Sequence, residues 1–88
     1  MELKEAIIQE ITNVKEKLYR GETRGGIASM QPLISDLTRY ISKECKEEVQ
    51  SRILNDVLIP AMNAMQEQDG IELADLLQYE LMPIIEDQ

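Results

Sequence analysis

Residues 27–41 read Ile27-Ala28-Ser29-Met30-Gln31-Pro32-Leu33-Ile34-Ser35-Asp36-Leu37-Thr38-Arg39-Tyr40-Ile41, and this stretch decides how many helices the chain has. Its apolar residues Ile27, Met30, Ile34, Leu37 and Ile41 step by three and four, with Leu33 and Tyr40 beside them. The phase is the same on both sides of Pro32, which predicts one helix from Thr23 to Lys43. At about 100° per residue Pro32 falls opposite the stripe with Asp36, Arg39 and Lys43, where a proline bends a helix around its core and leaves the freed carbonyl to water. A competing reading starts the helix near Met30, with Pro32 in its first turn and Gly25-Gly26 in a long loop.

The same periodicity extends outward in both directions. Upstream, Leu3, Ile7, Ile11, Val14 and Leu18 repeat at helical spacing, with Ile8 and Tyr19 widening the stripe, and Gly21 fits the left-handed cap that ends such a helix. Downstream, the rows Val49-Ile53-Val57-Ala61 and Leu54-Leu58-Met62-Met65 cover about half of a helix circumference, a width that suits contact with two neighbours. This third helix is expected to bend at Pro60. A fourth begins at Asp69, which is placed to cap first-turn amides with Glu72 three residues on, and its inward row is Leu73, Ala74, Leu77, Leu81, Ile84 and Ile85.

No stretch alternates with period two, and the only aromatics are Tyr19, Tyr40 and Tyr79. The predicted fold is therefore all-α, an antiparallel up-down bundle of four helices over about residues 2–20, 23–43, 45–68 and 70–87, forming one domain across residues 1–88. The motifs Leu58-Ile59-Pro60-Ala61-Met62 and Leu81-Met82-Pro83-Ile84-Ile85 resemble each other, but five positions of common residue types are read as coincidence.

Charge divides the chain. Residues 1–52 balance nine acids against nine bases, whereas the last 36 residues carry eight acids and no base, so the formal charge of −8 lies wholly in that part. Such a surface attracts cationic partners and repels nucleic acid and anionic membrane. With 43% apolar and 30% charged residues and no apolar run of membrane-spanning length, the chain reads as globular and without a membrane partner. Met1 leads directly into Glu2-Leu3-Lys4-Glu5, so no signal peptide is expected, and cytoplasmic residence follows from that expectation.

The chemistry inventory predicts a non-enzyme with no cofactor and no metal. The chain has no histidine, the usual general base and metal ligand. Ser29, Ser35 and Ser51 lack an activating partner motif, Gly25-Gly26 is too short to cradle phosphate, and Glu72 with Asp75 supplies too few ligands for a hard cation. Cys45 is the only cysteine and is read as an ordinary thiol, with Lys43 and Lys46 nearby as the sole argument for reactivity.

The outward face of the fourth helix is the candidate site. On regular helical angles Glu72, Asp75, Tyr79 and Glu86 fall within about 60° of one another, flanked by Leu76 and Pro83. A tyrosine ringed by carboxylates suits a basic partner, the ring giving contact area and the acids giving selection. Glu72, Asp75, Leu76, Tyr79 and Glu86 are therefore the expected partner-binding residues. The plainer alternative has Tyr79 lying along the first helix or a subunit neighbour with only its hydroxyl in water.

The stretch Ile71-Glu72-Leu73-Ala74-Asp75-Leu76-Leu77-Gln78-Tyr79-Glu80-Leu81-Met82-Pro83 resembles the closing L-A-D-L-L-x-Y-E-L-x-P signature of a family of short, uncharacterised helical proteins from motile Gram-positive bacteria. The resemblance implies a small helical domain, transfers no catalytic residue, and hints by association at a flagellar accessory role. The functional expectation is a non-enzymatic acidic interaction module, a small chaperone or adaptor that covers a basic or amphipathic helix or tail of a protein partner. A homodimer is expected because small cores gain from added burial. The alternative is a structural homo-oligomer with the fourth helix buried between subunits.

Overall fold

Four helices run the length of the chain in a computed structural model that describes residues 2–87. The structure is 87% helical with no strand among the described residues. Helix α1 is Leu3–Tyr19. Helix α2 comprises Thr23–Ala28 and Met30–Glu44, α3 comprises Glu47–Ile53, Leu54–Leu58 and Ile59–Gln66, and α4 comprises Gly70–Asp75, Leu76–Leu81 and Met82–Glu86. The core is a single cluster in which Ile7, Ile11, Val14 and Leu18 of α1 meet Leu33 and Leu37 of α2, Ile53 and Val57 of α3, and Leu73, Leu77 and Leu81 of α4. All six positions of the inward row predicted for the fourth helix are buried.

The connections are set by caps that the sequence encodes. After α1, Gly21 takes φ 84°. Its N–H donates to the Leu18 carbonyl at 3.1 Å and the Glu22 N–H donates to that of Lys17 at 2.9 Å, the pair of bonds that closes a helix with a left-handed residue. After α3 the same pair recurs, from Gln68 to Met65 at 3.1 Å and from Asp69 to Ala64 at 2.9 Å. Here the left-handed residue is Gln68, at φ 56°. Asp69 then caps α4, its Oδ1 accepting from the Glu72 N–H at 3.1 Å. These turns make the helices antiparallel neighbours. The start of α1 flanks Tyr40 and Glu44 at the end of α2, and Val49 and Arg52 near the start of α3 flank Pro83 and Ile84 near the end of α4.

Close approach at the other end of α1 depends on glycine. A Cβ on Gly26 would lie 2.5 Å from Leu18 Cδ2 and 2.7 Å from Cγ, so the two backbones come together only because that position lacks a side chain. Gly25-Gly26 is thus helical and not loop, and both readings of α2 are partly met. One stripe runs through 23–44, yet the helix lapses at Ser29. The lapse lies one residue past Ala28, whose carbonyl would have received the N–H that Pro32 lacks. Lys17 Nζ donates to Ser29 Oγ at 2.9 Å, and that hydroxyl donates to the Gly25 carbonyl at 2.9 Å, fastening the break to α1.

The other two prolines act alike. The Ile59 N–H donates to the Leu54 carbonyl and the Met82 N–H to that of Leu77, each a bond across five residues and each immediately before a proline. A proline ring clashes with the carbonyl four residues back, and widening the preceding turn by one residue relieves the clash. The likeness between the two proline motifs, read from sequence as coincidence, therefore has a shared local structure. The two widened turns pack against each other.

One expectation about α3 fails. Its row Val49-Ile53-Val57-Ala61 faces the core, but in the second row Leu54 and Met62 are 49% and 58% exposed. The reason is that α3 packs mainly on α4 and meets α2 closely only near their junction, so no second neighbour covers that flank. No helix among the described residues is long and apolar enough to cross a membrane.

Candidate partner-binding surface

Alpha-helix geometry sends Leu73, Ala74 and Leu77 of α4 inward and leaves the residues between them on the outer side. Glu72, Asp75, Leu76, Tyr79 and Glu80 line one shallow depression there. Tyr79 is 65% exposed, the most exposed large apolar side chain among the described residues. Leu76 is half-buried and packs on the core, so it forms the apolar floor beside the ring. Four of the five predicted site residues are thus together.

Glu86 is apart from them. It does not line the depression, and the widened turn over Leu76–Leu81 interrupts the constant angular step on which its alignment rested. Glu80 occupies the depression instead.

Tyr19 also belongs to this surface, although its sequence position suggested only a wider core stripe. It is 43% exposed and its hydroxyl donates to Asp75 Oδ1 at 2.7 Å. That bond, with the negative charge it brings close, pushes the Tyr19 hydroxyl up to about 12, so the proton stays between phenol and carboxylate throughout the neutral range. The contact does two things. It ties the last turn of α1 to α4, and it fixes one oxygen of Asp75 in orientation. The sequence signal was available: Tyr19 sits one position after the buried Leu18 and two before the Gly21 cap, where a ring leans across the helix end.

The surface combines charge with apolar contact area. Its groups are carboxylates, a carboxylate-bound phenol, a free phenol and a leucine. Among the described residues no three His, Cys, Asp or Glu side chains gather to hold a metal ion. Cys45 lies elsewhere, between α2 and α3, and burial together with the neighbouring Glu44 raises its thiol above the ordinary value, away from the thiolate form.

No curated protein and no solved structure matches the chain. Residues 1–87 match the family described as Domain of unknown function (DUF8042), and the chain belongs to that family.

Proposed function

We propose that the protein is a non-enzymatic acidic interaction module, a small chaperone or adaptor, whose α4 face holds a basic or amphipathic helix or tail of a protein partner. The observation that carries this reading is Tyr79, 65% exposed within a depression that Glu72, Asp75 and Glu80 also line. An exposed aromatic supplies short-range contact at small entropic cost, and surrounding carboxylates raise the encounter rate with cations. Leu76 and Tyr19 extend the contact area, and the Tyr19 bond presents Asp75 in one orientation. A place in motility and a cytoplasmic setting are parts of this proposal. The signature resemblance that suggests motility covers the same residues, Asp75, Leu76, Tyr79 and Glu80.

The test is affinity capture from the native host with the wild-type chain and with Tyr79→Ala as baits, in low salt and in about 0.5 M NaCl, where screening is strong. The reading expects a protein with a basic helix or tail that is retained by the wild type, lost by the variant and weakened by salt. Identical captures by both baits would count against it. The reading with α4 buried between subunits expects instead that Tyr79→Ala dissociates an oligomer.

A further inference from the structure

We propose that Tyr19, Asp75 and Tyr79 form a subsite for one arginine side chain of the partner, in preference to lysine. The inference rests on the reading of the α4 face given above and names the residue type that this face selects. Tyr19 comes from the last turn of α1, Asp75 and Tyr79 from α4, so two helices supply the subsite.

A carboxylate and two aromatic rings come together here. The Tyr19 hydroxyl donates to Asp75 Oδ1 at 2.7 Å. Asp75 and Tyr79 line the same depression. After the Asp75 bond, burial and the Asp75 charge, Tyr79 is a further influence that raises the Tyr19 hydroxyl, so the two phenols are near neighbours. Both tyrosines are open to solvent.

No base among the described residues neutralises these acids. Asp75 Oδ2 accepts no hydrogen bond and none of Glu72, Asp75 and Glu80 forms an ion pair among those residues. The bases at the adjoining end of α1 are engaged elsewhere: Arg20 lies 2.9 Å from Glu22, and Lys17 donates to Ser29 Oγ at 2.9 Å. Glu72 stands three residues before Asp75 within the regular turn Gly70–Asp75, which makes the two carboxylates neighbours on the helix surface.

The shape of these groups decides which cation fits. An ammonium is a compact, strongly hydrated charge, and an exposed ring competes poorly with its water. A guanidinium is planar, so its face lies on a phenol ring while its edge donates N–H groups to carboxylate oxygens. Asp75 Oδ2 and Glu72 offer acceptors to the edge, and Tyr79 offers its ring to the face. Tyr19 is a positioning residue: its hydroxyl holds the Asp75 carboxylate by the other oxygen, so the acceptor is oriented before the partner arrives.

Two alanine-based helical peptides of otherwise identical sequence, one with four arginines and one with four lysines, test this by NMR titration of the full chain in about 50 mM salt, where attraction is little screened. Both should shift the amide signals of residues 72–80, and the arginine peptide should bind at least about threefold more tightly, the scale of an exposed cation–π contact. Tyr79→Phe should keep that ratio. Tyr79→Leu, which removes the ring but not the apolar bulk, should bring the ratio to about one while both peptides still bind through the carboxylates. Tyr19→Phe should lower affinity for the arginine peptide and leave that for the lysine peptide unchanged, an outcome that loss of a merely stabilising bond would not give. The same spectra report whether each variant is folded. Equal affinities in the wild type, or a ratio that survives Tyr79→Leu or Tyr19→Phe, would overturn the arginine subsite and leave the acidic-face reading standing. No shift within residues 72–80 on adding either peptide would overturn both.

Discussion

Between α1 and α2 two acids share a proton, and this contact makes stability depend on pH in an unusual direction. Glu10 hydrogen-bonds Asp36, and partial burial, that bond and the Asp36 charge raise the Glu10 carboxyl from an ordinary 4.5 to about 7. Its Oε1 is buried without a hydrogen-bond partner in the described structure. Arg39 lies 3.6 Å from Asp36 on the solvent side of the pair. Between pH 4.5 and 7 the folded chain therefore keeps a proton that the unfolded chain has released, so stability falls as pH rises through this window. At about 1.36 kcal/mol per pH unit the full effect is roughly 3 kcal/mol, and solvent screening of a pair near the surface reduces it to about 1 kcal/mol. Glu10→Gln supplies an amide donor to Asp36 at every pH. The variant should be more stable than the wild type by about 1 kcal/mol at pH 8, a rise in Tm of about 4–8 °C for a domain this size, and the gap should close below pH 5. Urea unfolding of both proteins at pH 5 and pH 8 measures this. The other carboxylates contribute equally to both chains, so the difference between them isolates Glu10. Equal dependence on pH in the two proteins would refute the shared proton.

The two adjacent glycines of α2 should respond oppositely to alanine. Gly25→Ala meets nothing nearer than Lys17 Cδ at 4.0 Å and should stabilise by about 0.5–1 kcal/mol, whereas Gly26→Ala drives a Cβ into Leu18 and should destabilise by about 1–2 kcal/mol after its helix-propensity gain. Thermal melts of the pair decide, and stabilisation by both would show that Leu18 yields. Gln68→Gly should stabilise by about 1 kcal/mol, because φ 56° is strained for a side-chain-bearing residue; an unchanged urea midpoint would mean that Gln68 pays no conformational cost there. Tyr19→Phe removes the bond to Asp75 and should cost about 0.5–1 kcal/mol or less, while the absorbance titration of the remaining tyrosines should lose its component near 12.

The helices were legible because each core stripe repeats at three and four residues, and the caps were legible because Gly21 and Asp69 are residue types with one strong reason to sit where they do. What escaped was the choice among backbone hydrogen bonds near proline. Pro32, Pro60 and Pro83 each announce a missing donor, but only the structure shows that α2 lapses at Ser29 while α3 and α4 each widen one turn. Regular angles then misplace residues beyond those turns, which is why Glu86 read as part of the site. Leu54 and Met62 looked internal because period alone cannot tell a flank that meets a neighbour from one that does not. Tyr19 and the Glu10 and Asp36 pair depend on contacts between helices, and a single-helix pattern carries no information about those.

The central claim, that the acidic α4 face receives a basic partner, is tested most directly by photocrosslinking from position 79. Tyr79→p-benzoylphenylalanine in the full chain, illuminated in the native host, places the reactive ketone within about 4 Å of whatever covers the ring, the range of side-chain contact. The account predicts a crosslink to another protein within a basic helix or tail, diminished when Glu72→Gln and Glu80→Gln are added. Crosslinks solely to a second copy of this chain, or to no protein at all, would contradict it.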